Sequence, residues 1–388
     1  MSEEITRTGG NPAIDAGSSA GSIVVLFGGP SAEHDVSVVS GWAIADALAG
    51  SGLAVERFFI DLQGGWWRVP EAAAIGRPPA GAFDDPAAAG ADGPWPATEA
   101  LAKLGSRHQR PVVFVALHGP FGEDGTVQAL LEAADLTYTG AGVAASAIGM
   151  DKAVFKRLAG GIGLPIVDWV EIGASRWRSD PAGVLRDLDA FADRTGERRL
   201  MVKPSRLGSS VGMTLAHTAA ERGAALDTAF EYDTIVLAER YLDHPRELEV
   251  AVLGNDAGSL ESYGPGEVFP GREFYDYVAK YRDGVSRTVP EAGLDPATAA
   301  RVRNMAEEAY AAIGCEGFAR MDFLADGEHI YISEINTIPG FTPISLFPQM
   351  AAGGLGSFAA VCLRIVDLAR ARHASRVRSV LSPADLPR

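Results

Sequence analysis

With 388 residues the chain is long enough for two or three domains around a large buried core. Its net charge of −16, from 34 Lys and Arg against 50 Asp and Glu, excludes a protein that holds nucleic acid by bulk phosphate neutralisation, so individual cations must have local tasks. The two cysteines, Cys315 and Cys362, lack metal-ligand spacing and read as packing residues of a reduced, cytoplasmic protein, and no apolar run approaches membrane-spanning length.

Residues 1–21 are small, polar and acidic, without the basic start and apolar run of a signal peptide, and read as a disordered tail. An apolar strand at 22–28 then runs through GGPSAEHDVS into a helical pattern at 36–48. Such a strand-to-helix turn offers amide groups to an anion, although its glycines lack the dinucleotide fingerprint. Glu33 in this turn is either a first-turn carboxylate favouring the helix dipole or a partner for a substrate ammonium. A strand at 55–60 precedes a Pro-, Gly- and Ala-rich insertion at 64–105, where Trp66 and Trp67 suggest a hairpin or turn before a long irregular stretch. The strand at 112–117 enters LHGPFGEDGTVQ, where His118 and Glu123 sit in a loop, and Gly125 and Thr126 open a helix with Val127, Leu130 and Leu131 on one side.

A helix at 146–159 carrying Lys152 leads into a smaller α/β lobe, with a strand at 164–170 and a helix at 181–195 whose inner face holds Leu185, Leu188 and Phe191. LMVKPSRLGSSVGMT, at 200–214, reads as strand, loop, strand. The small residues Gly208, Ser209, Ser210 and Gly212 let backbone amides approach phosphate oxygens, and Lys203 supplies a charge; because Lys203 precedes the glycines, this is not a Walker loop. Strands at 235–242 and from Glu247 to Gly254 flank a turn at Asp243-His244-Pro245, and the segment 274–281 is too polar and aromatic for a core strand. Asp295 caps a helix that stops at Gly314.

The stretch GFARMDFLADGEHIYISEINTIPGFTPISL, at 317–346, organises the rest. Strands at 318–324 and 329–335 join through an Asp-Gly turn, so alternation places Glu334 and Asn336 on one face and pairing can bring Asp322 opposite them. Two carboxylates and an amide carbonyl suit a hard cation, and a site left open to phosphates suits Mg²⁺. Arg320, in an otherwise apolar strand, needs a charged partner. A loop at 340–346, a helix at 356–372 and a solvated Arg-rich end from Arg370 complete the chain.

Arg320-Met321-Asp322 followed by Glu334-Ile335-Asn336-Thr337-Ile338-Pro339-Gly340 resembles the metal-binding end of the ATP-grasp superfamily, and within it the D-alanine–D-alanine ligases. Six motifs in order, from Ile23 to about Ala371, carry the resemblance. It implies an α/β, three-domain ATP-grasp fold: an N-terminal open parallel sheet domain at 22–145 with the insertion 64–105, a central lobe at 146–234, a C-terminal lobe at 235–375 and a tail at 376–388. By resemblance, Glu33, Ser209, Tyr281, Arg320 and Gly340 serve catalysis, with Glu33 also orienting the first amino acid beside His118, which Glu123 supports. Ser345 and Leu346 receive the second substrate's carboxylate. Lys152, Lys203, Ser210, Glu239, Glu247 and Lys280 bind ATP, with Glu249 the rival of Glu247 because one extra residue separates Glu239 from Glu247. Asp322, Glu334 and Asn336 bind metal, two Mg²⁺ ions that Mn²⁺ can replace. The segment ending in Lys280 and Tyr281 corresponds to a mobile lid. The implied reaction joins two D-alanines at the expense of ATP, through a D-alanyl phosphate, for peptidoglycan precursor synthesis, in a cytoplasmic homodimer with no nucleic-acid or membrane partner. The alternatives are an ATP-grasp ligase for another second substrate, such as D-lactate or D-serine, and a catalytically dead nucleotide-binding protein.

Overall fold

The computed structural model describes residues 22–70, 85–270 and 287–376. The N-terminal tail 1–21, the lid segment 274–281 with Lys280 and Tyr281, residues 71–84 of the insertion and the tail from 377 lie outside the described residues.

Strand β1 (Ile23–Gly28) is buried along its whole length. Its side chains alternate between two cores, Ile23, Val25 and Phe27 entering one and Val24 and Leu26 the other, as in a strand covered on both faces. Around it lie α1 (His34–Gly50), β2 (Val55–Ile60), β3 (Trp66–Val69), β4 (Asp92–Trp95), α2 (Ala97–Gly105), β5 (Val112–Val115), α3 (Thr126–Ala133) and β6 (Thr137–Tyr138). The sheet order is β4-β3-β2-β1-β5-β6, parallel from β2 to β6 and antiparallel at β3 and β4. Among its described residues, the stretch 64–105 contributes two strands and a helix where a long irregular stretch was expected after the hairpin or turn. Trp66, Leu101 and Leu104 supply the apolar burial that its Pro- and Gly-rich composition hides, and Pro94 is tolerated because β4 is the sheet edge.

Helices α4 (Val143–Met150) and α5 (Lys152–Gly161) replace the single helix expected at 146–159. Asp151 breaks it: its backbone is extended and its side chain accepts from the Val154 amide, capping α5. The second sheet follows, with β7 (Trp169–Gly173), α6 (Ala174–Ser179), α7 (Pro181–Thr195), β8 (Leu200–Pro204), β9 (Thr214–Ala216), α8 (Arg222–Phe230) and β10 (Ile235–Arg240). Its strands run antiparallel in the order β7-β10-β8-β9. β7 starts at Trp169 instead of Leu164, since Pro165 has no amide for a ladder and its carbonyl is taken by Ile332 N at 2.9 Å. On α7 the residue packed inward beside Leu188 and Phe191 is Val184, with Leu185 half-buried.

The third sheet comprises β11 (Arg246–Gly254), β12 (Glu261–Phe269), β13 (Arg287–Val289), β14 (Gly317–Asp326) and β15 (His329–Asn336), ordered β13-β12-β11-β14-β15 and antiparallel throughout. α9 (Pro296–Ala312) packs on one face, its first amides held by the Asp295 side chain as expected. α10 (Leu346–Leu355) and α11 (Phe358–Ser375) pack on the other. α10 was hidden by Pro348, Gly353 and Gly354, poor helix formers outweighed by burial of Leu346, Phe347 and Met350. The Arg-rich end is not all solvated: Arg372 is buried, donates to the Tyr138 and Gly140 carbonyls and lies 4.3 Å over the Tyr138 ring, while Arg376 pairs with Glu132. These contacts tie α11 to the end of the first domain. Among the described residues no single helix is long and apolar enough to cross a membrane.

Candidate active site

The second and third sheets face each other across a cleft lined by Val167, Met201, Met213, Leu242 and Phe323 among apolar side chains, and by Lys152, Lys203, Ser210, Glu239, Glu247, Glu249, Arg320, Asp322 and Glu334 among polar ones. Register explains the second-sheet face. Leu237 pairs with Lys203 and Glu239 with Met201, so these four side chains share one face, from which Met201, Lys203 and Glu239 line the cleft, while Val202, Val236 and Ala238 enter the core behind. Lys203 reaches Glu239 at 3.0 Å, and Lys156 of α5 reaches the same carboxylate oxygen at 3.0 Å. Burial opposes ionisation of Glu239, but the two ammonium groups outweigh it and hold its carboxyl below the usual range.

On the third sheet, Glu249 pairs with Asp322 and Asp322 with Glu334, so three carboxylates form one row across β11, β14 and β15. Like charges directly opposite one another destabilise a sheet, and cations from neighbouring positions offset them. Arg320, opposite Asn336 in the next row, binds Asp322 through Nε and Nη2 at 2.6 Å each and Glu249 at 3.3 Å. Lys152 lies 3.1 Å from Glu334 and donates to the Leu207 carbonyl of the glycine loop at 2.9 Å. Burial pulls the Lys152 and Arg320 pKa values down, yet their carboxylates prevail and raise both. The Asn336 amide is 3.0 Å from Asp322, and since amide orientation is assigned from the hydrogen-bond network, its carbonyl can turn to the same place. Asp322, Glu334 and Asn336 thus offer only hard oxygen donors, the set a Mg²⁺ ion takes. Among the described residues no group of three or more His, Cys, Asp and Glu side chains is already gathered as a metal cage, in keeping with carboxylates engaged by Arg320 and Lys152.

A second cluster lies where the first domain meets the glycine loop. The Ser209 hydroxyl donates to Glu33, joining residues 176 apart in sequence. Ser209 and Ser210 adopt φ of 52° and 57°, left-handed backbone that turns the loop back onto Glu33. The Gly119 position suits glycine: its φ is +73°, left-handed backbone that strains other residues, and a Cβ there would displace Glu33 Oε2, 2.6 Å away. His118 Nδ1 donates to the Ile338 carbonyl at 2.8 Å and Nε2 accepts from Ser40 at 3.0 Å, so a neutral imidazole satisfies both. Burial lowers the His118 pKa against the pull of Glu33. Glu123 accepts from the Gly119 and Ile338 amides at 2.8 and 2.9 Å, and burial, reinforced by the charge of Glu33, pushes its carboxyl up to about 8. His118 and Glu123 together clamp the first-domain loop to the chain leaving β15.

Ser345 stands at the N-cap of α10 and Leu346 opens it. The Ser345 hydroxyl is turned back to the Thr342 amide and hydroxyl, at 3.1 and 2.8 Å, and Gly340 approaches it closely. The amides at the start of α10 therefore have no serine side-chain cap, and this end favours an anion.

Of the residues singled out from the sequence, Lys152, Lys203, Ser210, Glu239, Glu247, Arg320, Asp322 and Glu334 line the cleft, Asn336 bonds to Asp322, and Glu33, Ser209, His118 and Glu123 form the second cluster, while Lys280 and Tyr281 lie outside the described residues. Glu247 lines the cleft half-buried, opposite Leu324, whereas its rival Glu249 is engaged by Arg320. Sequence reasoning missed Lys156 and Ser40. Lys156 repeats Lys152 at four residues' spacing on a helix, a signal that both share a face. Nothing local distinguishes Ser40 from other α1 residues before the chain folds back to Phe341.

A family profile described as D-ala D-ala ligase N-terminus matches residues 22–141, and one described as D-ala D-ala ligase C-terminus matches 158–367. A D-alanine--D-alanine ligase from Heliobacterium modesticaldum is 40% identical over 367 residues, covering 92% of this chain and 96% of its own. Among solved structures, the D-alanine-D-alanine ligase from Coxiella burnetii superposes with a TM-score of 0.70 at 30% identity, covering 91% of this chain and 96% of that one. The VanG D-Ala:D-Ser ligase from Enterococcus faecalis superposes with a TM-score of 0.76 at 29% identity, covering 90% and 100%.

Proposed function

The chain belongs to the D-alanine–D-alanine ligase family, an ATP-grasp family of ligases serving peptidoglycan synthesis, and from that premise we propose that it condenses two D-alanines at the expense of ATP through a D-alanyl phosphate. The observation that supports this best is the join of Glu33 to Ser209, which sets a carboxylate acceptor for an amino group beside the glycine loop that would cover phosphates.

Each residue then has a task. Glu33, fixed by Ser209 and by the absence of a side chain at Gly119, accepts the ammonium of the first D-alanine. His118, neutral and held at both nitrogens, shapes that pocket without adding charge. Glu239 accepts from the adenine amino group, and Glu247, at the cleft wall, from the ribose hydroxyls. Lys152, Lys203 and Ser210 receive the phosphates, with Lys280 added from the lid. Asp322, Glu334 and Asn336 would hold Mg²⁺, as two ions or with Mn²⁺ in their place, which when bound neutralises charge between the β- and γ-phosphates. Arg320 and the Gly340 amide stabilise the oxyanion formed as the second amino group attacks the acyl phosphate carbonyl. Ser345 and the Leu346 amide take the second carboxylate at the start of α10. Tyr281, outside the described residues, is assigned to the same catalytic set as Glu33 and Ser209. The protein works in the cytoplasm as a homodimer.

Phosphate release from Mg-ATP, with product mass, tests the reading. Release that requires D-alanine, is not supported by L-alanine and yields D-alanyl-D-alanine is the expected result. A preference for D-serine or D-lactate as partner of D-alanine would move the chain to the alternative second substrate. ATP binding without turnover on any of these would make it a non-catalytic nucleotide binder.

A further inference from the structure

Lys156 has no place in the reaction outlined above, yet its side chain is fully buried, an uncommon condition for lysine that demands a partner. That partner is one oxygen of Glu239, 3.0 Å away, which also receives Lys203 at 3.0 Å. The two lysines differ in position. Lys203 stands on β8 at the root of the glycine loop and lines the open cleft, whereas Lys156 comes from α5, which packs against the third sheet, and does not line the cleft. In the proposed function Lys203 turns to the phosphates once nucleotide binds, which leaves Lys156 as the remaining cation on Glu239.

We propose that Lys156 is a positioning residue for nucleotide selection, holding Glu239 ionised and aimed so that it accepts a hydrogen bond from a 6-amino purine and repels a 6-oxo purine. The inference rests on the adenine role of Glu239. Its physical basis is that an ionised carboxylate is acceptor-only, so a purine presenting an amino group satisfies it and one presenting a carbonyl oxygen opposes it; a protonated carboxyl loses that discrimination. The low pKa of Glu239 accords with this, and the charged groups around the pair are Lys203 from β8, Lys152 from the same helix and Glu334 from β15.

The experiment compares ATP with inosine triphosphate, which differs in the 6-amino group, in the wild type, Lys156→Met, Glu239→Gln and the double variant, with thermal unfolding recorded for each. Lys156→Met is expected to raise KM for ATP about tenfold, the difference between a charge-assisted and a neutral hydrogen bond, to change KM for inosine triphosphate far less, and to place the loss on KM instead of kcat. Because Lys156 acts through Glu239, adding Lys156→Met to Glu239→Gln is expected to cost nothing further in KM. Should Lys156→Met not fold, the double variant against Glu239→Gln gives the answer alone: equal KM values support the proposal and a further rise overturns it. An unchanged ATP-to-inosine-triphosphate preference in folded Lys156→Met, with Glu239→Gln altering it, overturns the proposal and leaves the adenine reading standing. If Glu239→Gln also leaves the preference unchanged, the adenine reading has failed and the proposal falls with it.

Discussion

The third sheet and the elements that flank its cleft face, α5 and the second sheet, carry opposite surpluses of charge. On the flanking side, Lys203 of β8 and Lys156 of α5, a helix packed against the third sheet, converge on the single carboxylate of Glu239. On the third sheet three carboxylates stand in a row, with Arg320 serving Asp322 and Glu249, and Lys152 of α5 reaching Glu334. A triphosphate with a divalent cation needs both surpluses, cations for phosphate oxygens and anions for the metal, and an uncharged or uniform cleft would bind neither well. The difference teaches that the buried charge is divided between the third sheet, which holds the row of carboxylates, and the elements that flank it, which supply the lysines.

Breaking the acidic side at its one arginine should have the largest effect. Arg320→Met leaves the Asp322–Glu249 pair uncompensated and removes the proposed oxyanion contact, so kcat is expected to fall roughly a thousandfold in steady-state phosphate release, with nucleotide KM changing less. A fall below about tenfold would mean that Arg320 balances the sheet and does not touch the reaction. Glu334→Gln should cost less at saturating metal, since Asp322 and Asn336 remain, but should raise the Mg²⁺ concentration for half-maximal rate by about ten- to a hundredfold.

A subtler break concerns the first-substrate cluster. Glu123 has its folded-state pKa raised from 4.5 to about 8, by burial first and by Glu33 second. Its contribution to stability is therefore fully present below pH 4.5 and lost as pH rises through about 8, because the unfolded chain releases the proton earlier. Glu33→Gln removes one cause of the shift, so thermal midpoints of this variant should decline less than those of the wild type between pH 5 and pH 8. Parallel declines would separate Glu123 from Glu33. The smallest effect on catalysis is expected at Arg372, which lines neither cluster. Arg372→Met should lower stability by about 2 kcal/mol in urea unfolding through loss of its bonds to Tyr138 and Gly140, with turnover of the folded enzyme retained.

How much of this could be read beforehand depended on distance along the chain. Alternation put Glu334 and Asn336 on one face and Asp295 with Pro296 gave the α9 cap, both local, but the Asp-Gly turn alone would set Asp322 opposite Ser333; the bulge between Asp322 and Phe323 that brings it opposite Glu334 was not legible. The meeting of Glu33 with Ser209 rested on resemblance, because no rule of periodicity joins positions 176 residues apart. The misses were cases where burial overrode composition. Trp66, Leu101 and Leu104 order a Pro- and Gly-rich stretch, Phe347 and Met350 hold a helix with two glycines, and Arg372 is drawn out of a basic end by two carbonyls. Lys156 shows the limit most clearly: its helical phase was legible, but a carboxylate on β10 to bury it against was not.

The most direct test of the divided cleft is nucleotide titration by calorimetry, with and without Mg²⁺, on the wild type, Lys203→Met and the paired variant Asp322→Asn with Glu334→Gln. The account predicts that Lys203→Met weakens nucleotide binding whether or not Mg²⁺ is present, whereas the acidic pair loses only the gain that Mg²⁺ brings. Equal losses in both conditions for both variants would contradict it.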